Sequence, residues 1–126
     1  MNHDATVYKV YFIGDKFWIF PNASISNVEI MGDDFYSFNS LKPFPAELRS
    51  LDPPIVREVD YAMISKLGAV TRSITQASLF GFDFIIHSET GDYVVIDFNY
   101  FSSYASTPNL GREMNEHISN ILNSNT

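Results

Sequence analysis

The chain has 126 residues, of which 45% are apolar and 18% are charged, a composition typical of one globular domain with a hydrophobic core and not of a disordered chain. Its 15 acidic and 8 basic residues give a formal net charge of −7, which argues against nucleic-acid binding because that function needs clustered cations. The chain has no cysteine, so it can form neither a disulfide framework nor a thiolate metal site.

The first 55 residues predict a β-hairpin followed by long loops. The stretches "TVYKVYFI" (6–13) and "FWIF" (17–20) are rich in β-branched and aromatic residues, and a turn sequence, "GDK", separates them. Five of the six prolines fall within residues 21–55, so we expect loops there, with one short strand near Asn27–Met31.

The remaining residues predict a helix, a second hairpin and a final helix. Five apolar residues recur at steps of three and four, as in an amphipathic helix, after start signals at Asp52–Pro54: Val59, Met63, Leu67, Val70 and Ile74. The second hairpin, "GFDFIIHSETGDYVVIDFNYF" (81–101), precedes a short helix from about Arg112 to Leu122, with Met114, Ile118 and Ile121 facing inward. This order of elements predicts an α+β fold with an antiparallel β-sheet flanked by helices.

Targeting signals are absent from the sequence pattern. No apolar run approaches the ~20 residues that a membrane-spanning helix needs. The start, "MNHDATVYKV", lacks the apolar core of a signal peptide. We therefore expect a cytoplasmic protein without a membrane span.

The second hairpin is unusual because an acidic residue interrupts each of its apolar strands. A turn centred near Thr90 places Asp83 directly opposite Asp97, where Cβ atoms lie roughly 4.5–5.5 Å apart and like charges destabilise the pairing. Because side chains alternate along a strand, Asn99 lies on the same face as Asp97. A shift of one residue in the register would separate these groups.

Three interpretations of this polar patch remain open on the residues alone. A hard cation between the carboxylates would offset their repulsion, and Mg²⁺ is typically held by one or two carboxylates together with substrate phosphates. Alternatively, one carboxyl group is protonated and takes part in acid–base chemistry. The third interpretation is an ordinary solvated face of an antiparallel sheet.

Lys9 is the second residue of interest, because it shares a strand face with Val7 and Tyr11 in an otherwise apolar run. Without other context, its ammonium group extends into solvent while its stem covers apolar surface. The functional alternative is a contact with phosphate, which a compact ammonium group suits as a point charge.

The histidines and loop serines carry little signal by themselves. His3, His87 and His117 are far apart in the sequence and lack the helical spacing of metal ligands. We interpret His87 and His117 as surface residues. Ser24 and Ser37 fall in the predicted loops.

Three stretches resemble the inositol 1,3,4-trisphosphate 5/6-kinases, also called inositol-tetrakisphosphate 1-kinases, which have an ATP-grasp fold. They are "NHDATVYKVYFIGDKFWI" (2–19), "FYSFNSLKP" (35–43) and "SLFGFDFIIHSETGDYVVIDFNYF" (78–101). The third is the most specific, since it resembles the family segment "SLFG-[IF]-D-…-VIDIN-[AY]-F" almost position by position. The first resembles the segment "NH-…-LYKVYVVG" that follows the nucleotide hinge, and the resemblance as a whole spans about residues 2–108.

The resemblance implies an ATP- and Mg²⁺-dependent kinase that transfers a phosphoryl group to a hydroxyl of an inositol polyphosphate. It implies Asp83, Asp97 and Asn99 as Mg²⁺ ligands, with Lys9 and Asn99 also contacting the inositol phosphate. The residues that it implies contact ATP are His3, Lys9, Ser24 and Ser37. An occupied metal site would explain why the two acids face each other.

The chain departs from the family pattern at two places. The family has Pro-Gly where this chain has Ser102-Ser103, and serine lacks the backbone freedom of glycine. The family has arginine where this chain has Asn22, which removes a cation suited to phosphate. We expect the first change to crowd the approach of a substrate.

The resemblance begins at the nucleotide hinge, so we expect residues 1–126 to be a single C-terminal ATP-grasp kinase subdomain, without the N-terminal domain and the central subdomain. By itself this chain should have little or no kinase activity, and the complete enzyme should be monomeric. One alternative is a non-catalytic pseudokinase or Mg²⁺-nucleotide-binding fragment. Another is an ATP-grasp carboxylate–amine ligase, although those enzymes usually have Glu-x-Asn where this chain has Asp97-Phe98-Asn99.

Overall fold

The computed structural model describes residues 3–4, 6–23 and 55–124, which form one antiparallel sheet and two helices. The elements are β1 (Thr6–Ile13), β2 (Lys16–Ala23), α1 (Tyr61–Thr75), β3 (Leu79–Ile86), β4 (Tyr93–Asn99) and α2 (Leu110–Ser124). The strands pair in the order β2-β1-β3-β4, so β1 and β3 are central among the described strands. This arrangement confirms the predicted α+β fold. Neither helix in the described part of the chain is long and apolar enough to cross a membrane.

The first hairpin is confirmed, with β1 and β2 joined by a tight turn between Ile13 and Lys16. Gly14 lies in this turn with φ of 62°, a conformation that glycine adopts without strain. The strand β2 continues beyond the predicted Phe20 to Ala23. The short strand predicted near Asn27–Met31 lies outside the described residues.

Helix α1 begins later than the signals at Asp52–Pro54 predicted. Residues 55–60 are not helical, and the helix starts after Asp60, whose carboxylate accepts a hydrogen bond from the Met63 backbone N–H at 3.1 Å. The preceding segment is bonded to the start of β1 instead, because the backbone N–H of Arg57 donates to the Tyr8 hydroxyl at 2.8 Å. These contacts hold the segment outside the helix, and Asp60 supplies the N-cap.

The buried stripe of α1 is also displaced from the predicted one. Met63, Val70 and Ile74 are exposed by 44%, 54% and 77%, whereas Ile64 and Gly68 are buried. Of the predicted residues, Val59 and Leu67 pack partly against the core. The absence of a side chain at Gly68 allows the helix to lie directly on the ring of Phe12, and this contact determines which side of α1 faces the sheet.

Gly68→Ala should therefore lower stability, although alanine is the better helix former by about 1 kcal/mol. An added Cβ would lie 2.2 Å from Phe12 Cε1, and that ring is fully buried among other aromatic rings. Overpacking of this kind costs about 1–3 kcal/mol, so we expect a net loss of free energy of unfolding in urea melts. Gly111→Ala in α2 is the matched control, because nothing lies within 4 Å of its added Cβ and a slight gain is expected. Equal gains in both variants would contradict close packing at Phe12.

The aromatic core lies on the face of the sheet that α1 covers. Phe12 stacks on Phe80 with ring centroids 4.7 Å apart, and Tyr8 stacks on Phe84 at 5.1 Å. The buried members of this cluster are Tyr8, Val10, Phe12, Ile64, Phe80, Phe82, Phe84 and Ile86. Strand residues with the opposite parity, Lys9 among them, therefore project from the other face.

A smaller cluster on that other face includes Tyr11, Ile13 and Tyr104. The Tyr104 hydroxyl donates to the backbone carbonyl of Phe12 at 3.0 Å, and burial raises the pKa of Tyr104 to about 12. Lys9 lies two residues from Tyr11 on the same face, and its side chain is 38% exposed. This face is thus covered at one end of β1 and open around Lys9.

Helix α2 is longer than the predicted Arg112–Leu122 and less buried. Met114 packs against the smaller cluster, but Ile118 and Ile121 are exposed, which contradicts their predicted inward orientation. The helix is attached along its first half by Lys16, whose Nζ lies 3.0 Å from Glu113 Oε2. The hydrogen bond that Lys16 donates to the Glu113 carboxylate raises the pKa of Lys16. The exposed Ile118 and Ile121 lie in the second half of the helix, beyond this attachment.

The two histidines interpreted as surface residues are partly exposed, and both are hydrogen-bonded. His117 Nε2 lies 2.8 Å from Ser78 Oγ, which adds to the attachment of α2. His87 Nδ1 accepts hydrogen bonds from the backbone N–H groups of Glu89 and Thr90 in the turn between β3 and β4. Both histidines thus have structural roles.

Candidate metal and nucleotide site

The predicted pairing of Asp83 with Asp97 is present in the ladder between β3 and β4. Towards the turn, however, Phe84 pairs with Val95, so Ile96 is an extra residue in β4 between two blocks of the ladder. This irregularity is a β-bulge, in which two residues of one strand oppose one residue of the other. The turn alone would have placed Asp83 opposite Ile96, and the bulge restores the register of the site.

The bulge also determines which face of the sheet carries the polar groups. Val95 pairs with Phe84 on the aromatic face, and the Phe98 ring lies 5.9 Å from the Phe80 ring on that same face. Asp97 and Asn99 therefore project from the opposite face. In an uninterrupted ladder Asp97 would fall on the aromatic face, where an unpaired carboxylate is costly.

Lys9 completes a row of three charged residues across the sheet. It pairs with Asp83 in the ladder between β1 and β3, and its Nζ lies 2.7 Å from Asp83 Oδ2. On the far side of Asp83, Asp97 Oδ2 accepts a hydrogen bond from Asn99 Nδ2 at 3.0 Å. The repulsion expected between the two carboxylates is therefore reduced by a lysine that the sequence pattern did not connect with them.

These residues fit a magnesium site in which the protein supplies only some of the ligands. Among the described residues, no group of three or more His, Asp or Glu side chains could hold a metal ion, and this row offers two carboxylates. Mg²⁺ usually keeps several waters and takes one or two carboxylates together with substrate phosphates. The hydrogen bond from Asn99 Nδ2 to Asp97 also leaves Asn99 Oδ1 as a further oxygen ligand.

The other predicted site residues lie away from this row or outside the residues that the structure describes. His3 is buried just before β1, and its backbone carbonyl accepts a hydrogen bond from the Thr6 N–H at 3.1 Å. Ser24 and Ser37 lie outside the described residues. The structure thus brings together four of the predicted residues: Lys9, Asp83, Asp97 and Asn99.

Arg57 connects the start of β1 to the turn of the second hairpin, which the sequence pattern did not indicate. Its Nε donates to the carboxylate of Asp4, and its Nη2 donates to the backbone carbonyl of Ser88. Its backbone N–H donates to the Tyr8 hydroxyl. The partners are 31 to 53 residues away in sequence, so no local motif could have revealed this junction.

Ser102 lies beside the polar patch. A Cβ added at Gly81 would lie 2.2 Å from Ser102 Oγ, and Gly81 is the ladder partner of Asn99. Neither Ser102 nor Ser103 has a positive φ, whereas Tyr104 does, with φ of 52°. The serines that replace Pro-Gly therefore require no glycine-like backbone conformation here.

The family profile described as inositol 1,3,4-trisphosphate 5/6-kinase ATP-grasp domain matches residues 1–120. The chain is 28% identical to the inositol-tetrakisphosphate 1-kinase of Xenopus laevis and 32% identical to that of Danio rerio, each over 130 residues. Both alignments cover 97% of this chain and 33% of the relative. It is also 30% identical over 121 residues to inositol-tetrakisphosphate 1-kinase 1 of Zea mays, with 86% of this chain and 35% of the relative covered.

The chain therefore spans about a third of the length of these relatives. Their names describe kinases of an inositol phosphate, and the family profile covers nearly the whole chain, including every residue of the polar patch. The similarity also agrees with the resemblance carried by residues 78–101. On these grounds the chain belongs to the inositol 1,3,4-trisphosphate 5/6-kinase ATP-grasp domain family.

Proposed function

We propose that this chain is the C-terminal ATP-grasp subdomain of a Mg²⁺-dependent kinase that phosphorylates a hydroxyl group of an inositol polyphosphate with ATP. The observation that carries the proposal is the row formed by Lys9, Asp83 and Asp97 across three adjacent strands. A net charge of −7 is unfavourable for two polyanionic substrates, and this row offers both a cation and ligands for a second one.

The residues of the row and Asn99 have different roles, which follow from their chemistry. Asp83, Asp97 and Asn99 would hold the metal, which would supply positive charge to offset the negative charge of the phosphoryl group. Lys9 donates hydrogen bonds to phosphate oxygens as a point charge. Asn99 lies at the end of β4 beside the loop that carries Ser102, where it can also contact the inositol phosphate.

The nucleotide contacts of the proposal include His3, just before β1, and two serines outside the described residues. His3, Ser24 and Ser37 contact ATP together with Lys9. His3 precedes β1 and Lys9 lies within it, so one strand connects the nucleotide hinge with the metal row. Phosphoryl transfer depends on positioning and electrostatic stabilisation around the phosphates, so the 126-residue chain alone should show little turnover.

A chimera tests the proposed function directly. This chain would replace the matched third of the Danio rerio inositol-tetrakisphosphate 1-kinase, and transfer of radiolabelled phosphate from ATP to inositol tris- and tetrakisphosphates would be measured. We expect Mg²⁺-dependent transfer by the chimera and little by the 126-residue chain. The control chimera carries Asp83→Asn and Asp97→Asn, which keep size and remove both charges.

The outcomes separate the proposal from its alternatives. A folded chimera that binds Mg²⁺-ATP but transfers no phosphate would favour a non-catalytic nucleotide-binding role. Equal transfer by the chimera and its doubly substituted control would show that this row does not hold the metal. Either result would contradict the proposed function.

A further inference from the structure

We propose that Lys9 is an exchangeable counter-ion. Its ammonium group pairs with Asp83 while no metal is bound, and it contacts a phosphate group once a metal binds that carboxylate. This inference rests on the proposed function, because it assumes that Asp83 is a metal ligand. Its consequence is that metal and phosphate bind cooperatively, each favouring the other through the position of one ammonium group.

The geometry allows Lys9 to leave Asp83 by movement of its own side chain. Lys9 and Asp83 are direct partners in the ladder, with Nζ 2.7 Å from Oδ2. The Asp83 side chain is 18% exposed and that of Lys9 is 38% exposed. The partner of Lys9 on its other side is Phe20, which carries no charge. The lysine can therefore leave towards solvent, whereas the more covered carboxylate needs a cation.

The charges explain why the exchange couples the two ligands. Without metal, the carboxylates of Asp83 and Asp97 face one ammonium group, so a divalent cation must compete with Lys9 for Asp83. Once displaced, the ammonium group lies close to a divalent cation, and the two repel each other. A phosphate group that contacts both cations removes that repulsion. Phosphate therefore strengthens metal binding, and metal strengthens phosphate binding. Thermodynamic linkage requires that these two factors are equal.

Lys9→Met tests the exchange because methionine keeps an unbranched apolar side chain and removes the charge. Mn²⁺ binding to the 126-residue chain would be measured by electron paramagnetic resonance, first alone and then with ATP. We expect Mn²⁺ alone to bind about tenfold more tightly to the variant, since the competing cation is gone. The factor by which ATP and Mn²⁺ strengthen each other's binding should fall by about tenfold.

Two further variants identify the cause. Lys16→Met is the matched control, because Lys16 is also a strand lysine with an acidic partner, Glu113, but lies at the opposite end of the first hairpin. It should change neither affinity. Lys9→Arg keeps the positive charge and should leave Mn²⁺ binding as weak as in the unmodified chain.

Three results would overturn the inference, and they differ from one another. If Asp97→Asn does not affect Mn²⁺ binding, the metal is not at this row, and the proposed function fails together with the exchange. If Mn²⁺ binding depends on Asp97 but Lys9→Met leaves it unchanged, only the exchange is wrong. If Lys9→Met lowers the melting temperature and weakens Mn²⁺ binding, Lys9 is a structural partner of Asp83.

Discussion

Asp97→Ala is expected to reduce phosphoryl transfer by the chimera about 10²–10³-fold, the size of effect seen when one preorganised electrostatic contact is removed from an active site. Asp97 is the carboxylate of the row that has no lysine partner in the ladder, and its described hydrogen bond is with Asn99. Its loss should remove a metal ligand directly. Initial rates at saturating ATP over a range of Mg²⁺ concentrations would measure the effect.

The same substitution should leave the metal-free protein nearly as stable as before. Asp97 is exposed in β4, and the Lys9–Asp83 ion pair persists without it. Relief of repulsion should add little, because Lys9 already offsets the charge of Asp83. Thermal melts of the 126-residue chain should therefore agree without metal, while any stabilisation by Mg²⁺-ATP disappears.

Asp92→Ala is the control for Asp97→Ala, since it removes the same charge from the same hairpin. Asp92 accepts a hydrogen bond from the Thr90 hydroxyl near the turn, away from the row. It should leave the response to Mg²⁺ unchanged. A large loss of metal-free stability in Asp97→Ala alone would mean that Asp97 is a structural residue and that the polar patch is an ordinary solvated face.

Insertion of an alanine between Ile96 and Asp97 is expected to abolish metal binding completely and to lower the melting temperature. With the bulge at Ile96 retained, the inserted residue lies opposite Asp83, and Asp97 moves to the aromatic face while Phe98 moves to the polar face. Burial of a carboxylate and exposure of a phenylalanine both destabilise the fold. Circular dichroism melts and Mn²⁺ titrations would measure the two effects.

Ile96→Ala separates the backbone from the side chain at this position. The Ile96 side chain is 52% exposed, so its truncation should change the free energy of unfolding by less than about 1 kcal/mol and leave Mn²⁺ affinity unaltered. If Ile96→Ala and the insertion behave alike, the side chain and not the register is responsible. Wild-type Mn²⁺ affinity in the insertion variant would show that the register of β4 does not determine the face of Asp97.

The sequence correctly predicted that Asp83 lies opposite Asp97, but the uninterrupted ladder from which this was predicted is wrong. The turn residues located the hairpin centre closely enough to place Asp83 opposite Asp97. The actual turn pairs the strands one residue differently, and the bulge at Ile96 compensates. Bulges depend on how two strands twist against their neighbours, and no residue pattern in β4 alone indicates one.

The contacts that sequence reasoning missed join elements distant in the chain. The Lys9–Asp83 pair spans 74 residues and requires β1 and β3 to be neighbours. The orientation of α1 was missed because apolar spacing predicted a stripe through Met63 and Val70, whereas close contact at Gly68 determines the buried side. Periodicity identifies helices well, but a small residue at a point of close approach can outweigh it.

The junction at Arg57 has a consequence for how the protein opens locally. One side chain and its backbone N–H hold the start of β1, the segment before α1 and the turn of the second hairpin. Loss of any one of these contacts weakens the other two, so the three regions should behave as one cooperative unit in hydrogen exchange. Local unfolding near His3 would then occur together with local unfolding of the hairpin that carries Asp83 and Asp97. The central strands would stay folded.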